Sequence, residues 1–114
     1  MNAITTHVLD TSLGRPAEGV PLRLEFKTAD GAWNKIAEGT TDTDGRAGRL
    51  LPSSFEVQSG VYRLSFDIKT YFAAHNVVGF YPEVSIVFTI TDPSEHYHVP
   101  LLLSPFGYST YRGS

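Results

Sequence analysis

S-E-H-Y-H-V-P-L-L-L-S-P-F-G-Y-S-T-Y-R-G-S, residues 94–114, is the part of the chain from which its architecture is most readily read. Val99, Leu101 and Leu103 alternate with His98, Pro100 and Leu102, the two-residue period of a strand whose successive side chains face opposite ways. Ser104-Pro105-Phe106-Gly107 supplies turn residues, and Tyr108 to Tyr111 reads as a second strand. No charge interrupts the run from His98 to Phe106, so both faces of the first strand are apolar or aromatic. A sandwich sheet that meets water normally shows it one polar face, and a doubly apolar strand therefore implies a cover on the outer side, supplied by a closed symmetric assembly. His98 sits on that outer side, with Tyr111 as a neighbour across the turn.

Working back from this hairpin, short alternating segments recur. Ile4 to Asp10 alternates Ile4, Thr6 and Val8 against Thr5, His7 and Leu9, and Thr11 to Gly19 is loop. Val20, Leu22, Leu24 and Phe26 point to a core, with Arg23, Glu25 and Lys27 toward water. Asp30-Gly31 is a hairpin signal, followed by a strand over Trp33 to Thr40. Asp42-Thr43-Asp44-Gly45 is a turn, and Arg46 leads into a short Gly-containing strand ending near Leu51. Strands are also expected over Val61 to Ile68 and Val84 to Thr91, the latter with Val84, Ile86, Phe88 and Ile90 inward. Lys69 to Asn76 has the look of a two-turn helix, with His75-Asn76 suited to its C-terminal end. Seven or eight short strands, one short helix at about 69–76 and no internal repeat read as an all-β, antiparallel β-sandwich.

At 114 residues the chain is expected to be a single domain. A net charge of −3 with scattered signs argues against a nucleic-acid partner. No cysteine is present, which removes disulfides and thiolate chemistry. No membrane-length apolar run, leader or Ser-Lys-Leu tail is visible, so a cytoplasmic protein is expected.

Several residues carry chemical potential. Histidine titrates near neutrality, and His7 and His98 would share an outward face if the first strand and the one before the C-terminal hairpin lay side by side. Arg46, after its turn, offers a planar, permanently charged fork suited to an oxygen-rich ring or a developing oxyanion, although arginines at hairpin exits are mostly solvated. Tyr111 can stack on a flat ring, and Ser114 brings a hydroxyl and, as the last residue, a carboxylate. His96 and His98 form an H-x-H pair, but no Cys, Asp or Glu stands at ligand spacing, so no metal is expected. Asp42 and Asp44 lack the downstream glutamate of a calcium loop.

H-Y-H-V-P-L-L-L-S-P near the end of the chain, the closing Y-S-T-Y-R-G-S and T-H-V-L-D-T-S-L-G-R-P-A-E-G-V-P from Thr6 to Pro21 resemble the 5-hydroxyisourate hydrolases, the transthyretin-related family of urate breakdown. The resemblance implies a transthyretin-like sandwich, and supplies the adjacency of the two histidine-bearing strands. It also implies a cofactor-free hydrolase and a homotetramer with paired sites in a channel between dimers. Its functional residues fall on His7, Arg46, His98 and Tyr111-Arg112-Gly113-Ser114, and 5-hydroxyisourate is the implied small-molecule substrate. Two other readings stand beside it. A transthyretin-type ligand carrier would not need two histidines and an arginine together, and transthyretins do not end in Y-R-G-S. A β-sandwich interaction module of the carboxypeptidase-regulatory kind accounts for T-D-T-D-G-R but has no use for the C-terminal run.

Overall fold

The computed structural model describes residues 3–114. Eight strands form two four-stranded sheets. They are β1 (Ile4–Asp10), β2 (Arg15–Pro16), β3 (Pro21–Lys27), β4 (Trp33–Thr40), β5 (Gly60–Phe66), β6 (Val84–Ile90), β7 (Tyr97–Ser104) and β8 (Gly107–Thr110). One sheet runs β2-β1-β7-β8 and the other β4-β3-β5-β6. The alternation read from the sequence carries the core between them: Ile4, Val8, Leu101 and Leu103 from one sheet meet Leu24, Leu64, Phe66 and Ile90 from the other, all fully buried. Tyr62 lies among Phe26 and Phe88, at ring-centroid distances of 5.0 and 5.9 Å, while its hydroxyl donates to the Gln58 carbonyl at 2.8 Å. That bond removes the cost of burying a phenol in an apolar layer.

The single helix, α1 (Ile68–Ala74), follows β5 almost directly. Asp67 caps it, accepting from the Thr70 N–H at 3.1 Å and the Thr70 hydroxyl at 2.7 Å. Ile68, Tyr71 and Phe72 form its buried stripe. The helix stops at His75, and Asn76 takes a left-handed φ of 56°, as its position after the last turn suggests.

The structure departs from the sequence reading in four places. The sandwich is not wholly antiparallel: β1 and β7 run parallel, from Ile4 beside Tyr97 to Asp10 beside Leu103. Alternation fixes which face a side chain takes but is blind to strand direction, so this is not visible in the sequence. Within the Thr11–Gly19 loop, Arg15 and Pro16 form a two-residue edge strand against Asp10 and Leu9. The strand expected from Arg46 to Leu51 shrinks to one bridge between Arg46 and His7, because Gly45 and Gly48 both adopt positive φ, which bends the backbone out of an extended path. Tyr111 lies just beyond β8, outside the hairpin ladder. Among the described residues no helix is long and apolar enough to cross a membrane.

Candidate active site

The parallel register sets Thr5 beside His98 and His7 beside Pro100. Thr5, His7 and Leu9 of β1 and His98, Pro100 and Leu102 of β7 therefore share the outward face, while Thr6, Val8, Val99 and Leu101 are buried on the other side. Two histidines from opposite ends of the chain thus meet on one sheet surface.

Arg46 reaches that surface through its turn. Asp42 Oδ1 accepts the N–H groups of Asp44 at 2.9 Å and Arg46 at 3.0 Å, and the Asp42 N–H donates to the Arg46 carbonyl at 2.7 Å. The Gly45 carbonyl accepts from the Val8 N–H at 2.8 Å, which pins the turn against β1. A Cβ at Gly45 would overlap the Val8 carbonyl oxygen, so the D-x-D-G turn depends on glycine both for its φ of 77° and for this close approach. The Arg46 guanidinium is exposed and makes no ion pair or hydrogen bond among the described residues. An unpaired fork beside two imidazoles is free to bind an anion or a polarised oxygen.

The His98 pKa is lowered below the ordinary 6.5, first by burial and then by the positive charges of Arg46, His96 and His7. The direction of the shift favours the neutral His98 imidazole and sets Arg46, His96 and His7 within electrostatic reach of it. Nδ1 of His98 lies 2.8 Å from the Thr5 hydroxyl oxygen, which also lies 2.9 Å from Nε2 of His96. The His96 and His98 rings are 6.4 Å apart, centroid to centroid.

The C-terminal residues close over the other side of His98. Gly113 forms a bridge with it, donating its N–H to the His98 carbonyl at 2.8 Å. Arg112 turns away: it donates to Glu95 Oε1 at 3.0 Å and lies 4.5 Å from the centroid of the Tyr97 ring. It ties the tail down and leaves Gly113 against His98. A cavity of about 150 Å³ lies between the tail and β6, bounded by Tyr97 and Val99 from the inward side of β7, by Phe88, and by His98, Tyr111 and Arg112. A larger hollow of about 600 Å³ lies between α1 and the loop after it, lined by Phe72, Val78 and Phe80, away from the histidines on β1 and β7. Neither His7 nor Arg46 lines either space, so the chemically relevant surface is the outward face of β1 and β7 on which the histidines lie.

The sequence-derived residues therefore fall into two groups. His7, Arg46 and His98 converge on one face. Tyr111, 60% exposed, shares the lining of the small cavity with His98, and Ser114 is exposed. Within one chain this face is partly covered: Thr5, His7, Leu9, His98 and Leu102 are half-buried and Pro100 is buried. A strand threonine has no signature of its own in the sequence, and the H-x-H spacing of His96 and His98 raises only the question of a metal.

An all-β sandwich bearing a histidine pair and an unpaired arginine on its outer sheet, with no cysteine in the sequence, defines a hydrolase-type site on a transthyretin-like scaffold. Residues 4–113 match the family model described as HIUase/Transthyretin family, and the chain belongs to that family. It is 47% identical over 112 residues to a probable 5-hydroxyisourate hydrolase of Caenorhabditis elegans, covering 98% of this chain and 82% of that protein. The crystal structure of Klebsiella pneumoniae 5-hydroxyisourate hydrolase matches with a TM-score of 0.83 at 34% identity, over 97% of this chain and 98% of that one. Sea bream transthyretin in complex with thyroxine matches with a TM-score of 0.90 at 37% identity, over 97% and 94%. The backbone is thus shared by a 5-hydroxyisourate hydrolase and a thyroxine-bound transthyretin, and fold alone does not separate them.

Proposed function

We propose that this chain hydrolyses 5-hydroxyisourate to 5-hydroxy-2-oxo-4-ureido-2,5-dihydro-1H-imidazole-5-carboxylate, a step of urate degradation. The observation that carries the reading is the convergence of His7, Arg46 and His98 on one outward face, with the neutral form of His98 favoured by its surroundings. Curated relatives named 5-hydroxyisourate hydrolase, such as the mouse protein at 46% identity over 97% of this chain, support the same substrate.

In this mechanism an imidazole takes a proton from water as the water oxygen attacks the ring's acyl carbon. The oxyanion that forms is stabilised by Arg46. Collapse breaks the acyl carbon–nitrogen bond, the proton passes to the leaving nitrogen, and a carboxylate is released. His98 serves as base, and His7, on the same face, orients water or protonates the nitrogen. Tyr111 and Ser114 hold the flat substrate. No metal or cofactor is required by this chemistry.

The working form in this reading is a homotetramer that covers the outward face of β1 and β7. Support comes from the free edges of both sheets, β8 and β6, and from the exposed Phe106, Tyr108, Tyr111 and Val87 on or beside them.

The test is an absorbance assay on freshly generated 5-hydroxyisourate. The wild-type chain is expected to hasten its decay and His98→Ala to leave the spontaneous rate. An unchanged decay with the wild-type chain would replace the hydrolase by a ligand carrier.

A further inference from the structure

The Thr5 hydroxyl stands between two imidazole nitrogens, at 2.8 Å from Nδ1 of His98 and 2.9 Å from Nε2 of His96. A hydroxyl has one proton to give. It therefore cannot donate to both rings, and at least one of them must present N–H to its oxygen. The protonation of His98 at Nδ1 is thereby tied to that of His96 at Nε2. The Cδ2 edge of the His98 ring faces Gly113, where a Cβ would overlap it, so Nε2 is the polar atom left to face a reactant.

Resting on the hydrolase reading above, we propose that Thr5 is a positioning residue: it passes its proton to His96 and accepts Nδ1–H from His98, fixing His98 in the tautomer whose bare Nε2 is the general base. The direction follows from the surroundings. His96 is exposed, and its Nε2 can take the Thr5 proton while its Nδ1–H is hydrated. His98 is half-buried between Thr5 and Gly113 and has no second partner at Nδ1. When Nε2 takes a proton from water, the imidazolium keeps its Nδ1–H on Thr5, so no bond has to rearrange during the step. The alternative arrangement, Thr5 donating to His98, would leave His98 with N–H at Nε2 and no base on that side. In a serine protease a carboxylate performs this service for the catalytic histidine; here a neutral hydroxyl, backed by a second imidazole, does so without adding negative charge beside an anion-binding arginine.

The experiment reads the tautomer directly, by ¹⁵N correlation spectroscopy of the His98 ring at a pH where it is neutral, alongside steady-state kinetics. Wild type is expected to show Nδ1–H and a bare Nε2. Thr5→Val, nearly isosteric and without a hydroxyl, is expected to move His98 toward the Nε2–H form that free imidazole side chains prefer. It should lower kcat by about ten- to a hundredfold with KM nearly unchanged. Thr5→Ser should restore both. His96→Ala, at an exposed position, provides the second arm: with its acceptor gone, the Thr5 proton turns to Nδ1 of His98 and the Nε2–H form rises there too. A wild-type ring already protonated at Nε2, or a Thr5→Val ring with an unaltered tautomer, would overturn the proposal. The tautomer is read without substrate, so a chain that shows the expected signals but no hydrolysis would fail the hydrolase reading alone.

Discussion

Gly113 donates its N–H to the carbonyl of His98 at 2.8 Å, and its Cα passes so close to the imidazole that a methyl group there would overlap Cδ2. The tail and the ring are thus fitted edge to edge. Gly113→Ala is expected to push one of them aside and lower kcat/KM by about tenfold or more, since displacements of about 1 Å in such sites carry costs of that order. The overlap falls on the His98 ring, on the outward side of β7, so thermal denaturation followed by circular dichroism should shift little.

The pH profile follows from His98. Burial, then the charges of Arg46, His96 and His7, lower its pKa. The acid limb of kcat/KM is therefore expected below the ordinary 6.5 of histidine. The sign for stability is fixed by the same shift: the unfolded chain binds the proton first, so folding loses free energy as pH falls through 6.5 and below, with no such loss above it. Arg46→Gln, followed by ring-proton titration in NMR spectra, should raise the His98 pKa by removing one of these charges. An unmoved titration curve would separate the arginine from the histidine.

Arg46 itself carries the expected oxyanion contact. Arg46→Lys keeps the charge but loses the planar fork, and a loss of about tenfold to a thousandfold in kcat is expected. Substrate consumption measured at saturation checks it. A variant as fast as wild type would leave the arginine a solvated turn residue.

Most strands were legible because the core is written with period two. Val20, Leu22 and Leu24, and Val84, Ile86 and Ile90, are inward as their alternation requires. The helix was legible within a residue or two, from Ile68–Ala74 against an expected 69–76. What escaped was relational. The parallel pairing of β1 with β7 joins residues some ninety apart, and nothing local encodes it. Thr5 is silent for the same reason: its role exists only once His96 and His98 are laid beside it. The collapse of the Arg46–Leu51 strand was foreshadowed by Gly45 and Gly48, whose positive φ leaves no extended run.

Asp10 and Tyr71 form the buried polar contact of the scaffold, with the phenol donating to Oδ2 at 2.7 Å. Burial raises the Asp10 pKa, but hydrogen bonds from Ser12, Tyr71 and the N–H groups of Leu13 and Ser12 outweigh it and the net shift is downward from 3.8. The stability this carboxylate contributes is complete above 3.8 and is lost as pH falls through its lowered native value. Tyr71→Phe is expected to cost about 1–3 kcal/mol, measured by urea denaturation at neutral pH, with a smaller further loss in acid than in wild type because less of the downward shift of Asp10 remains.

If copies of the chain assemble through the sheet edges, a charge on β8 should oppose it. Tyr108→Lys is expected to lower the mass found by light scattering at micromolar concentration, with the far-ultraviolet circular dichroism of the sandwich retained. A wild-type chain that is already a monomer under those conditions would refute the tetramer.

The side-by-side placement of β1 and β7 also has a consequence for biosynthesis. A ribosome delivers His98 some ninety residues after His7, so in a nascent polypeptide β1 stays unpartnered until β7 emerges. The pairing of these two strands, with its long separation in sequence, is therefore among the slower contacts of the fold to form.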